Sequence, residues 1–381
     1  MVGLGHGSCI FFFIILIQVW SFGLADRSSI SAKKSLQIDD DGDVIDCVDI
    51  YKQPALNHPL LKNHTIQMKP SSLPRGMEAT NSTKTFQSRF KNINCPEGTI
   101  PILRTKAFNH GPVTPAIPKR IQSKEIIDFT PAANHEFAQA FVYGERYYGA
   151  RASFNVWAPN VADPGEFSIA EMWVISGDKE KLNSIEAGWQ VLTGRNETRF
   201  FIYWTRDGYQ TTGCYNLECP GFVQVSSRHA LGGPLQPVST YGGDQYEIDV
   251  FIYLDKFSGY WWLMLQKELI GYWPGNILTT LAYSSDLITF GGQIINNQYE
   301  GHHTTTQMGS GHFSGEGLGK AAYIGHLSYV DASNVLKDAG LLVPDATKPA
   351  CYDINVSKVE PSNDLGVHVY FGGPGFSNQC P

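Results

Sequence analysis

Short runs of aromatic and β-branched residues recur through the last two thirds of the chain, at 137–143, 152–157, 167–175, 199–204, 245–254, 260–265 and 368–371. Gly, Asn, Asp and Pro clusters separate them, which predicts the strands of one antiparallel β-sandwich or barrel. The runs 245–254 and 260–265 read as a hairpin turning through Asp255-Lys256-Phe257-Ser258-Gly259. Over 184–191 the alternation puts Ile185, Ala187, Trp189 and Val191 on one strand face and Glu186, Gly188 and Gln190 on the other. Only 332–339 has the look of an amphipathic helix. At the other end of the chain, an apolar stretch over 9–20, broken by Gln18, precedes Gly23-Leu24-Ala25. That pattern suits an export signal cleaved after Ala25. It falls short of the ~20 residues of a spanning helix, so no membrane association is expected once it is removed.

Charge divides the remainder near residue 131. Residues 26–131 carry 15 Lys and Arg against 11 Asp and Glu, a net of +4, and 132–381 carry 14 against 25, a net of −11. The expected organisation is a signal peptide at 1–25, a small propeptide region at 26–131 and one β domain at 132–381. A basic propiece ahead of an acidic domain suggests a lid held partly by charge, which acid would weaken. Outside the signal, six cysteines remain, Cys47, Cys95, Cys214, Cys219, Cys351 and Cys380, an even number suited to disulfides. Sequons at Asn63, Asn81, Asn196 and Asn355 also fit a secreted, extracellular glycoprotein.

Several chemistries drop out. Gly315-Glu316-Gly317-Leu318-Gly319-Lys320 lacks the first Gly and the closing Ser/Thr of a phosphate loop. Gly309-Ser310-Gly311 is not a nucleophile elbow. His302, His303 and His312 lack metal-site spacing, so no metal and no cofactor are expected. The acidic domain argues against nucleic acid. A glycosidase would want a second acid across the cleft, for which Glu300 is the outside candidate. What remains is carboxylate chemistry among aromatics, with Glu186 beside Gly188 as the candidate and an ordinary solvent-facing Glu as the plainer explanation.

Long blocks of the chain resemble the neprosin family of plant secreted proteins. They include Asp46-Cys47-Val48-Asp49-Ile50-Tyr51 and His58-Pro59-Leu60-Leu61 in the propiece. In the domain they include Ile185-Glu186-Ala187-Gly188-Trp189-Gln190-Val191, Thr212-Gly213-Cys214-Tyr215, Gly271-Tyr272-Trp273-Pro274 and His303-Thr304-Thr305-Thr306-Gln307-Met308-Gly309-Ser310-Gly311-His312-Phe313. The resemblance implies an antiparallel β-sandwich peptidase domain with a cleft on its concave face, preceded by an activation propeptide. It implies disulfides Cys214–Cys219 and Cys351–Cys380, which leaves Cys47 with Cys95. It implies a zymogen matured at acid pH, with cleavage after Pro131 suiting the change in composition. The activity implied is that of a glutamic endopeptidase cutting after proline, with proline-containing proteins or peptides and its own propeptide as partners.

The family's mechanism uses two glutamates. The first maps onto Glu186; the second falls in Phe290-Gly291-Gly292-Gln293, where this chain has Gln293. A glutamine has nearly the shape of a protonated glutamic acid and donates through its amide. The expectation is that Glu186 activates water while Gln293 polarises the scissile carbonyl, a pairing used by another acid-peptidase family, the eqolisins. The alternative is a catalytically inactive sandwich that binds proline-rich proteins or glycans.

Overall fold

Alternation of apolar and polar residues is carried by strands that divide between two sheets and bury one shared core. The structure is a computed structural model, and it describes residues 35–38, 43–77, 93, 95–104, 120–122, 125–127, 134–194, 197–298, 301–357 and 364–381. Ahead of the domain lie β1 (Ser35–Ile38), β2 (Val44–Asp49) and β3 (Thr99–Leu103), which form a three-stranded sheet, and the hairpin β4 (Arg120–Gln122) with β5 (Glu125–Ile127). The domain then runs through β6 (His135–Tyr147), β7 (Gly149–Asn155), β8 (Phe167–Ser176), β9 (Asn183–Leu192), β10 (Arg199–Thr205), β11 (Cys214–Tyr215) and β12 (Val223–Gln224). Next come β13 (Glu247–Asp255), β14 (Tyr260–Leu265), β15 (Glu268–Trp273), β16 (Ser285–Ile295), β17 (Met308–Gly309) and β18 (Ala322–Val330). The last are β19 (Leu336–Asp338), β20 (Val343–Ala346), β21 (Asp353–Ser357) and β22 (His368–Gly373).

Seven strands form one sheet in the order β11-β10-β9-β8-β16-β6-β20. Ten form the other, ordered β12-β15-β14-β13-β7-β18-β22-β17, with β19 on β18 and β21 on β22. All these pairings are antiparallel, so the fold is the antiparallel sandwich expected from the sequence. The expected hairpin is present, with Asp255 facing Tyr260 across its turn. Between the sheets lies the main core, to which Ala170, Met172, Val174, Ala187, Trp189, Trp204 and Phe290 contribute from one side and Ala152, Phe154, Val250 and Ile252 from the other. The Trp189 indole is satisfied inside it by the Asn155 carbonyl at 3.0 Å. The stretch 332–339 is not a helix. Asp331 Oδ1 accepts from the Ser333 and Val335 amides at 2.8 and 3.0 Å, which turns the chain back so that β19 pairs with β18.

Three disulfides, Cys47–Cys95, Cys214–Cys219 and Cys351–Cys380, match the expected pairing. The segment ahead of the domain packs along its flank. Gln53 mimics a strand partner for β12, accepting from the Gln224 amide at 2.8 Å and donating to the Gln224 carbonyl at 3.2 Å. The Tyr272 hydroxyl meets His64 Nε2 at 2.7 Å and the Gln67 amide at 2.9 Å. Asp255 accepts from the Ser71 amide at 2.7 Å and from Ser72 Oγ at 3.1 Å. Arg75 exchanges backbone bonds with Asn334 and Leu336, both at 2.9 Å, and Asp43 pairs with buried Arg199 at 2.7 Å. The proposed signal cleavage and the Pro131-Ala132 junction lie outside the described residues.

Candidate active site

The outer face of the seven-stranded sheet has polar positions where an ordinary sandwich would show solvent-facing residues, yet those positions are buried. On β8 the residues Phe167, Ile169, Glu171, Trp173 and Ile175 share this face, because side chains alternate along a strand. The register aligns three rows across the sheet. In the first, Gln190 on β9 faces Ile169, which faces Gln293 on β16. In the second, Gly188 faces Glu171, which faces Gly291. In the third, Tyr203 on β10 faces Glu186, which faces Trp173, which faces Thr289. Glu171 is therefore central, with a glycine on either side and Glu186 and Gln293 at opposite diagonal corners.

Both glycines are demanded by the sheet. A Cβ on Gly188 would lie 2.0 Å from the Ala170 oxygen and 2.7 Å from Glu171 Cα. On Gly291 it would lie 2.2 Å from the Ala138 oxygen. The second glycine of the pair faces the other way: a Cβ on Gly292 would strike Phe371 and Met308 in the core. Two apolar clusters bracket the polar band. Phe137, Phe141, Trp173, Ile175, Leu182 and Leu287 form one; Phe167, Ile169, Phe201, Tyr203 and Ile295 form the other.

Tyr209 packs against both clusters and donates its phenol hydrogen to Glu186 Oε1. Its backbone sits at φ 64°, in the left-handed region that an aromatic residue rarely adopts. The loop beyond it is pinned by Asp207, whose carboxylate accepts from the Thr211 amide at 2.9 Å and the Thr212 hydroxyl at 2.7 Å. Burial pushes the Asp207 pKa up, but these hydrogen bonds outweigh it and hold it at about 2.

Glu171, Glu186 and Gln293 are all inaccessible to solvent. The two carboxyls stand diagonally across adjacent strands, a spacing that long side chains can bridge. Burial raises both pKa values. That of Glu186 reaches about 7, restrained by the hydrogen bond from Tyr209. That of Glu171 stands well above the usual carboxylate range, because the Glu186 charge adds to burial. Tyr209 donates to Glu186 and favours its charged form, so within the pair the proton rests on Glu171. At the opposite corner, Gln293 donates its amide to His135 Nδ1. Burial lowers the His135 pKa to about 4, so its ring is neutral and that nitrogen can accept.

Glu186 and Gln293 thus share one enclosed face, and Glu171 stands between them. Glu171 and Tyr209 were not singled out from the sequence. The available signal for Glu171 was a lone ionisable residue in the otherwise uncharged run of β8. Of the rejected metal candidates, His303 meets Glu136 at 2.8 Å and the Thr304 oxygen at 2.8 Å, His312 pairs with Glu316, and His302 packs on Phe376. His303 also lies close to Cys351 and Cys380, but their sulfurs are joined to each other. Glu300 lies outside the described residues.

A family model described as Neprosin matches residues 164–374, which hold the whole three-row constellation. The chain belongs to the neprosin family. Residues 38–111 match a second model, the Neprosin activation peptide, which covers the segment packed along the domain's flank. Among solved structures, the chain is similar to scytalido-glutamic peptidase bound to a peptide-based transition-state analog, at 11% identity and a TM-score of 0.35. That match covers 63% of this chain and 98% of the other. It is also similar to SCP-B, a member of the eqolisin family of peptidases in complex with the tripeptide Ala-Ile-His. There the identity is 11%, the TM-score 0.33, and the coverage again 63% and 98%.

Proposed function

We propose that this neprosin-family protein is a secreted acid endopeptidase that cuts after proline and is made as a precursor. The observation that carries the reading is the enclosed polar band built around Glu186, in a chain that also has the family's activation peptide. Glu186, as a carboxylate, takes a proton from water while the water oxygen attacks the scissile carbonyl. Gln293, where the family has its second glutamate, stands on the same face as a neutral amide. The aromatic walls at Phe201, Tyr203 and Trp173 suit a proline ring, which packs well on aromatic faces.

The precursor's own contacts support release in acid. Burial raises the Asp255 pKa, but hydrogen bonds from Ser71, Ser258, Phe257 and Ser72 outweigh it, so the group sits below its ordinary value. A depressed carboxylate stabilises the fold above its unfolded pKa and loses that contribution as pH falls through the folded one. Protonation of Asp255 therefore loosens Ser71 and Ser72. His64, packed on Tyr260 and Tyr272, has its pKa lowered by burial. Its charging below the ordinary histidine range disfavours the docked segment too. Glu186 responds in the opposite sense, since its raised pKa reflects enclosure. Opening the band to water removes that cause and returns Glu186 toward the ordinary carboxylate range.

The test is to secrete the precursor, bring it to about pH 3, where such carboxylates protonate, and follow it by mass spectrometry with a proline-rich reporter peptide. Trimming near Pro131 and cleavage after proline, both abolished in Glu186→Gln, support the reading. A parent that leaves the reporter intact but retains it on a column refutes the peptidase and favours a binding module.

A further inference from the structure

Resting on the reading of Glu186 as the base, we infer that Glu171 is the second catalytic carboxyl of this protein, supplying the proton that Gln293 cannot. Three observations lead there. An amide donates a hydrogen bond but cannot transfer a proton, so a Glu186/Gln293 pair leaves Glu186 to do all the proton transfer. Gln293 stands two strands and two rows from Glu186, with its amide turned to His135. Glu171, by contrast, is the diagonal neighbour of Glu186 on the adjacent strand, a position within ~8 Å at Cα and in mutual reach for long side chains. Its carboxyl also feels the negative charge of Glu186 directly. Finally, Gly188 and Gly291 leave both flanks of Glu171 without side chains, so no neighbour in its own row competes for its carboxyl.

The surroundings also divide the roles. Tyr209 donates to Glu186, favouring its ionised form, whereas Glu171 faces that negative charge and keeps its proton. As the water oxygen bonds to the carbonyl carbon, one water proton passes to Glu186 and the Glu171 proton passes to the carbonyl oxygen. The intermediate is a neutral diol. Its collapse breaks the carbon–nitrogen bond. The nitrogen takes the proton held by Glu186, and one hydroxyl returns its proton to Glu171 as the new carboxyl forms. The products are an acid and an amine, and both side chains regain their starting states.

The experiment compares the parent, Glu171→Gln, Gln293→Ala and Glu186→Gln, each freed of its propeptide by the same added and then removed protease, on one proline-containing reporter, with kcat measured across pH. Circular dichroism and thermal unfolding confirm that each is folded. The expected parent profile is bell-shaped, because a base and an acid both titrate. Glu171→Gln is expected to lose ~100-fold or more in kcat and to lose the basic limb, whereas Gln293→Ala should keep both limbs. A Glu171→Gln enzyme that folds, cleaves within a few-fold of the parent and keeps the parent's profile overturns the assignment. With Glu186→Gln still dead, that result leaves the glutamic peptidase standing. A parent with a single acidic limb likewise returns the second role to Gln293. A parent inert on every reporter overturns both readings.

Discussion

Enclosure of Glu186 makes the stability of the precursor depend on pH in the direction opposite to ordinary acid denaturation. In the unfolded chain this carboxyl titrates near 4.5, and in the folded one at about 7. Between those values the native state holds a proton that the unfolded state has released, so stability falls as pH rises. At ~1.4 kcal/mol per pH unit, that interval corresponds to about 3 kcal/mol favouring the fold at pH 4.5 over pH 7 and above. The raised pKa of Glu171 acts in the same direction. Glu186→Gln removes the ionisable group while keeping its shape and a side-chain oxygen to accept the Tyr209 hydrogen. The variant should therefore be more stable than the parent at pH 7.5, by about 3 kcal/mol, and its stability should vary less with pH. The assay is guanidinium unfolding of the full precursor at pH 5 and pH 7.5, with mass spectrometry confirming an intact chain at each point. Equal pH dependence in parent and variant would mean that Glu186 is not enclosed and titrates normally, which would refute the argument. A parent more stable at pH 7.5, with a variant that shows no gain there, would refute it equally.

Two further outcomes follow from single contacts. Asp255→Asn removes the charge that accepts the Ser71 amide, so the precursor should mature at a higher pH than the parent, read as the midpoint of propeptide release by gel; an unchanged midpoint removes Asp255 from the trigger. Gly188→Ala places a Cβ 2.0 Å from a backbone oxygen between β8 and β9, so it should lower stability by about 3 kcal/mol in chemical unfolding and abolish cleavage; a fully active, equally stable variant would show that the two strands are not so closely spaced there.

Much of the sandwich could be read from the sequence, because period-two alternation is a local signal. The hairpin from β13 to β14 is such a case, with its turn placed at Asp255 to Gly259. What escaped were strands whose reason is not local. β16 contains Gly291-Gly292, which reads as a break, although one glycine clears a neighbouring strand and the other clears Phe371 and Met308. β18 is interrupted in the same way by Gly325 and by His326 at φ 52°, where its pairing with β7 shifts register. The mistaken helix at 332–339 had a plausible apolar spacing, but Asp331 caps a turn there and Asn334 sits at φ 59°, which no helix continues through.

The site shows the same division more sharply. Glu186 is visible because it alternates with Ile185, Ala187 and Trp189, and the family pattern marks it. Glu171 sits in Phe-Ser-Ile-Ala-Glu-Met-Trp-Val-Ile-Ser, a stretch that reads as a strand buried on both faces, and its carboxyl is hidden by that apolar company. Only the strand order β9-β8-β16 reveals that the position between Glu186 and Gln293 belongs to Glu171. A sequence comparison limited to aligned catalytic positions sees a glutamate lost at 293; the sheet shows a carboxyl present one strand closer to Glu186. Whether a family member has lost its chemistry is then a question about which side chains share a face, and in this protein the face still holds two carboxyls.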